Sequence, residues 1–113
     1  MINAKLVADV DRRIIVLTLN GHAGQAEKGH DIVCASASIL AYTVAQIVKA
    51  MEHHGDLEGE PIIDLNEGNA TIMCRCSDPE DFGELMHTFF VAHVGYSLLA
   101  HDYPEYVSLE SVW

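Results

Sequence analysis

With 113 residues, half of them hydrophobic, the chain is sized for one domain (1–113) around a single core. A net charge of −11, from 17 acidic residues against 6 basic ones, repels phosphate backbones and anionic lipid headgroups, which argues against direct nucleic-acid or membrane partners and favours a cationic polypeptide. There is no run of about eighteen apolar residues, and Met1-Ile2-Asn3-Ala4-Lys5 lacks the basic-then-apolar pattern of a secretory signal, so the cytoplasm is the expected location.

Ala4 to Val10 and Arg13 to Asn20 both favour strand, the second through Ile14-Ile15-Val16-Leu17-Thr18-Leu19, and Asp11-Arg12 between them makes an opening β-hairpin. The next segment, Gly21 to His30, carries Gly21, Gly24 and Gly29 and no apolar period, so it reads as a loop. Asp31 can cap a helix running from Ile32 to about His54, where Gly55 stops it. Apolar residues nearly all round predict burial on most of its sides.

Pro61 to Leu65 and Ala70 to Cys76 form a second hairpin about the turn Asn66-Glu67-Gly68-Asn69. Asp78-Pro79-Glu80-Asp81 combines a capping aspartate, proline at the first helical position and carboxylates at the positive dipole end. The helix it starts sets Phe82, Leu85, Met86, Phe89, Phe90, His93 and Tyr96 at three-and-four spacing, which predicts one apolar face. Glu105 to Val112 supplies a last strand. The order β-β-α-β-β-α-β predicts an α+β fold of two layers, a mostly antiparallel sheet with two helices packed on one face.

The chain has 3 cysteines and no C-x-x-C pair, which points to neither a disulfide framework nor a thioredoxin-type motif. Cys74 and Cys76 alternate with the chain so as to share a strand face with Ile72, and they read as core residues. The cysteines and histidines lack the paired spacing of structural zinc sites, so no metal and no other cofactor is expected. No arginine follows Cys34 within its helix, which excludes the phosphate cradle of a cysteine phosphatase.

Cys34 is the third residue of its helix if Asp31 is the cap, in the first turn, where unpaired amides and the helix dipole favour negative charge on sulfur. His22, where the second strand ends, is the imidazole that a loop of this length can fold back over that thiol. The first-turn amides are candidate oxyanion donors. On spacing alone, a core cysteine and a strand-end surface histidine remain the commoner readings.

Gly21-His22-Ala23 followed by Gly29-His30-Asp31-Ile32-Val33-Cys34-Ala35 and Ser38 resembles the signature of the ribosomal-processing cysteine proteases of bacteria, a G-H-A element followed by G-x-D-I-V-C-A-x-x-S. The resemblance implies a cysteine endopeptidase with His22 and Cys34 as catalytic dyad. It further implies a substrate, the basic precursor of the large-subunit ribosomal protein numbered twenty-seven, from which a short N-terminal extension is removed, and a homodimer.

Around that dyad, Asp31 is most simply an N-cap, since a carboxylate beside a thiolate disfavours it, although it can also orient His22. Ser38, one turn after Cys34, either hydrogen-bonds near the site or back-bonds to a helix carbonyl. Gly21, Gly24 and Gly29 are candidate loop hinges for a lid that closes on an extended peptide. Two other readings stand beside the endopeptidase: a non-catalytic ribosome-assembly module that holds a basic tail in the same groove, and a thiol redox sensor pairing Cys34 with Cys74.

Overall fold

The computed structural model describes residues 1–24 and 31–113. Alternation in β1 (Ile2–Asp9) and β2 (Ile14–Asn20) buries Ile2, Ala4, Leu6, Ile15, Leu17 and Leu19 on one face. β1 begins at Ile2 rather than Ala4 because its first residue is tied to the far end of the chain, the Ile2 amide donating to the Tyr106 carbonyl at 2.8 Å. β3 (Ile62–Asn66) and β4 (Asn69–Arg75) form the second hairpin, and β5 (Val107–Val112) lies parallel to β1. The sheet order is β3-β4-β2-β1-β5, with every other pairing antiparallel.

Register lines up like residues across all five strands on the face away from the core. Ile62, Met73, Val16, Val7 and Val112 form one cross-strand row. Asn66, Asn69, Asn20, Asn3 and Ser108 form another, in which the Ser108 hydroxyl donates to Asn3 Oδ1 at 2.7 Å. The two helices cover the opposite face, giving the two-layer α+β arrangement that the element order predicts.

α1 (Ile32–His53) ends where His54 caps it and Gly55 turns left-handed at φ 79°. Its burial is narrower than its composition suggests. Val33, Ala37, Ala41, Val44, Val48 and Met51 make one buried stripe, whereas Ile32, Ile39, Tyr42 and Ile47 face outward. Among the described residues α1 alone is long and apolar enough to cross a bilayer, with a mean hydropathy of 1.6; its alanine-rich stripe instead packs on α2 and β4.

α2 (Pro79–Asp102) starts as expected, with Asp78 accepting from the Glu80 amide at 2.7 Å. Phe82, Leu85, Phe89, Ala92 and Tyr96 are its buried stripe. Phe90 corrects the sequence expectation: it stands about 100° round the helix from Phe89, beyond the closed stripe, and is 52% exposed. Met86 and His93 are half-buried. The helices meet closely at Gly95, where a Cβ would lie 2.7 Å from Leu40 Cδ1, and the buried Tyr96 hydroxyl donates to the Ala37 carbonyl at 2.9 Å. Burial pushes the Tyr96 phenol up.

Cys74 and Cys76 are core residues, as the strand alternation indicates. Burial, then the neighbouring Cys76, pushes the Cys74 thiol up to about 12. Burial, then Asp81, Asp56 and Asp78, pushes the Cys76 thiol up to about 11. These thiols stay neutral in the fold at pH values where an unfolded chain has ionised them, above the ordinary 9.0. Their contribution to stability is therefore complete below that value and is lost as pH rises through the folded values. The urea midpoint is expected to fall steadily between pH 9 and pH 11, and to fall less steeply in a Cys74→Val, Cys76→Ala variant; equal slopes for both proteins would contradict this account.

Candidate active site

Asp31 positions the thiol. With φ −84° and ψ 103° it stands outside the helix, and its Oδ1 accepts from the Val33 amide at 3.0 Å and the Cys34 amide at 2.9 Å. The Ala35 amide donates to the Asp31 carbonyl at 3.1 Å. This corrects the expectation that the first-turn amides stand ready as oxyanion donors, because Val33, Cys34 and Ala35 have committed theirs to the cap. Asp31 is nearly buried and Cys34 partly so.

The other wall comes from the sheet. β2 runs beside β4 with Asn20 opposite Asn69, and the Gly21 amide continues that pairing by donating to the Gly68 carbonyl at 2.9 Å. Gly21 has φ 95°, and a Cβ there would collide with the Met1 carbonyl, so this glycine is held by its neighbours on both sides. The chain then turns toward α1, and the Ala23 amide donates to Cys34 Sγ at 3.3 Å. Gly24 has φ 70° with open space around it, and Gly29 lies outside the described residues.

His22 is exposed, and its ring packs against Gly68 in the β3–β4 turn with Nε2 nearest: a Cβ on Gly68 would sit 2.6 Å from His22 Nε2 and 3.0 Å from Cε1. Among the described residues the thiol therefore takes its hydrogen bond from the residue after His22, not from the imidazole. Histidine and cysteine nevertheless line one cleft of about 560 Å³, with Ile2, Leu19, Tyr42 and Ala70 as its apolar lining and Asp31 and Glu67 as its acidic groups. Ser38 lines the cleft beside Cys34 and is half-buried. Ser36, two residues earlier, back-bonds to the helix, donating to the Ile32 carbonyl at 2.7 Å.

Cys74 lies apart from this cleft. It is four residues along β4 from the cleft-lining Ala70, about 13 Å at the rise of an extended strand. Among the described residues no cluster of histidine, cysteine and carboxylates is arranged to hold a metal ion.

Sequence reading missed Gly68 and Ala23. Gly68 looks like any hairpin-turn glycine, and only the unforeseen β2–β4 pairing puts it under the imidazole. Alanine at 68 is expected to lower peptide cleavage at least tenfold by displacing His22, beyond the strain of a side chain at φ 73°. Gly59→Ala supplies that strain alone, since Gly59 has φ 74° and nothing within 4 Å. Equal activity in the two variants would rule out a positioning role for Gly68.

Comparison with known proteins gives this cleft a context. The family model for cysteine protease Prp matches residues 1–108. The essential ribosomal processing protease Prp from S. aureus, in complex with a covalently linked product peptide, superposes with a TM-score of 0.71 at 24% identity, covering 98% of this chain and 99% of the other. The same S. aureus protease with a substrate peptide gives a TM-score of 0.66 at 23% identity, with 98% and 99% covered. SMU.848 from Streptococcus mutans gives 0.65 at 28% identity, covering 99% of this chain and 94% of that one. No curated protein sequence matches. With the family model spanning nearly its whole length, the chain belongs to the Prp family of cysteine proteases.

Proposed function

We propose that this cysteine protease removes a short N-terminal extension from a basic ribosomal protein precursor, with Cys34 as nucleophile and His22 as its proton acceptor. The observation that carries the assignment is the Cys34 sulfur in the first turn of α1, opening into the cleft that His22 lines. The substrate comes from the motif resemblance, which names large-subunit protein twenty-seven, and the S. aureus relative is itself described as a ribosomal processing protease. The acidic groups in the cleft lining, Asp31 and Glu67, and the net charge of −11 suit a basic chain. A cytoplasmic location follows from such a substrate.

His22 needs little movement to act. Its Cα is at most about 6 Å from Sγ, because one peptide unit separates it from the amide that already touches the sulfur at 3.3 Å. Rotation about the side-chain bonds swings the ring from Gly68 toward the thiol without remodelling the backbone. His22 then takes the thiol proton as sulfur attacks the scissile carbonyl carbon, and returns it to the leaving amine as the acyl-enzyme forms. Water hydrolyses the thioester with the same imidazole as base. Gly24, in open space at φ 70°, is the described hinge best placed to let a peptide enter.

Incubation of the precursor peptide with wild type, Cys34→Ala and His22→Ala, followed by mass spectrometry, is expected to show two fragments for wild type and a loss of at least about 10³-fold in rate for each variant. Undiminished cleavage by either variant would remove that residue from the mechanism. A peptide that wild type binds but leaves whole would favour a non-catalytic assembly module instead.

The protease is further proposed to work as a homodimer. Phe90, Val91, Val94 and Leu98 are 52%, 60%, 43% and 60% exposed on one helix, at spacings that join them into an apolar stripe along α2. A second copy covering this stripe would sediment as a dimer in wild type and as a monomer in Val94→Asp, Leu98→Lys. A monomeric wild type would overturn the assignment.

A further inference from the structure

We infer that the backbone amide of Ala23 is the oxyanion donor of the protease, holding the sulfur at rest and the substrate's carbonyl oxygen in the tetrahedral intermediate. The inference rests on the assignment of Cys34 as nucleophile. It starts from an exclusion. A cysteine at a helix N-terminus ordinarily offers its own amide and the next ones to an oxyanion. Here the Val33 and Cys34 amides are spent on Asp31 Oδ1 at 3.0 and 2.9 Å, and the Ala35 amide on the Asp31 carbonyl at 3.1 Å. The Gly21 amide is likewise spent on the Gly68 carbonyl. Among the described residues, the amide that touches the reacting sulfur is that of Ala23, at 3.3 Å.

The chemistry gives that contact its purpose. As the Sγ–C bond forms, the carbonyl π pair moves onto oxygen, and the negative charge leaves sulfur for an atom bonded to the same carbon. A donor already in contact with sulfur is within reach of that oxygen. It therefore follows the charge instead of having to be brought in, which is the preorganisation that makes fixed dipoles effective. When the carbonyl reforms, the C–N bond breaks and the His22 proton goes to the leaving nitrogen. Ala23 is itself anchored: its side chain is 4% exposed, within the core cluster, and the chain two residues before it is pinned by the Gly21–Gly68 hydrogen bond. The donor is thus held by the fold rather than by the substrate.

Cys34 is a native ligation junction, so the test needs no foreign residue. A synthetic 1–33 thioester joined to residues 34–113 allows the Ala23 amide to be replaced by an ester, which removes this N–H and weakens the His22 carbonyl as an acceptor. A control ester at Arg12, whose amide bonds Asp9 Oδ1 at 3.1 Å in the distant β1–β2 turn, reports the cost of ligation and of losing one amide. Relative to the all-amide ligated protein, the Ala23 ester is expected to lower kcat about 10²–10³-fold with KM unchanged. It should weaken a peptide aldehyde, whose hemithioacetal carries the tetrahedral oxygen, to a similar degree, and slow alkylation by iodoacetamide much less, since no oxyanion forms there. Equal losses in aldehyde binding and alkylation would mean that the amide only places the thiol, and an unchanged kcat would discard the inference altogether. Should the ester fail to fold, the ¹⁵N-labelled native protein answers the same question: on addition of the aldehyde the Ala23 amide proton should move furthest downfield, with Val33 and Cys34 nearly still. The reverse pattern would overturn the assignment. If instead the all-amide protein binds the precursor without cutting it, the endopeptidase reading falls first, and the oxyanion donor falls with it.

Discussion

One carboxylate oxygen fixes the geometry of the site. Asp31 Oδ1 accepts from two successive amides, and in doing so sets where α1 begins and which residue occupies its first turn. A cap of this kind contributes about 1 kcal/mol to helix stability. Its larger effect is positional: it starts α1 so that Cys34 falls in the first turn, where the residue lines the cleft. The cap also silences donors that the first turn would otherwise present, so stabilisation of developing charge has to come from elsewhere in the fold.

That elsewhere is the end of the sheet. β2 and β4 are neighbours, although the whole of α1 and β3 separates them in sequence, and their register carries β2 directly onto the β3–β4 turn. Gly21 and Gly68 both adopt left-handed backbone at this junction, where each admits close approach: Gly21 to the Met1 carbonyl and Gly68 to the His22 ring. The N-terminal residue of the chain, the second strand and a distant hairpin turn thus build one wall. The other wall is α1, held to α2 by the Tyr96 hydroxyl on the Ala37 carbonyl, one turn beyond Cys34. The cleft is a seam between the layers of the fold.

Much of this was legible in the sequence, and the failures have physical causes. Local rules located every strand and helix to within a few residues, because the hairpin turns, the two capping aspartates and Gly55 act over short range. The Asp31 cap was readable for the same reason. What escaped was whatever depends on which strands become neighbours. Gly68 had no signal, since a hairpin turn wants glycine in any case. The exposed positions of α1 and α2 were misjudged because hydrophobicity reports that a residue prefers shelter, not which partner provides it. Phe90 and Ile39 are apolar yet outward. The pairing of His22 with Cys34 came from motif resemblance. Spacing across the Gly21 to His30 segment could not have supplied it.

The cap and the proposed nucleophile share one helix end, and this accounts for the way the site is split between layers. The N-terminal end of a helix carries roughly half a positive charge, available to any anion placed there. The Asp31 carboxylate oxygen claims it first, only three residues before the sulfur. The amide end that holds Cys34 is thus already occupied by a carboxylate, and the sulfur takes its hydrogen bond from outside the helix, from the Ala23 amide at 3.3 Å. That amide and the imidazole proposed as the thiol's proton acceptor, His22, are adjacent in sequence and arrive together on the segment that leaves β2. Such an arrangement divides the surroundings of the sulfur between the helix and the end of the sheet, with the Ala23 amide already seated on Sγ. The cleft chemistry of this protease family member is thus built where the two layers meet, and neither layer supplies it alone.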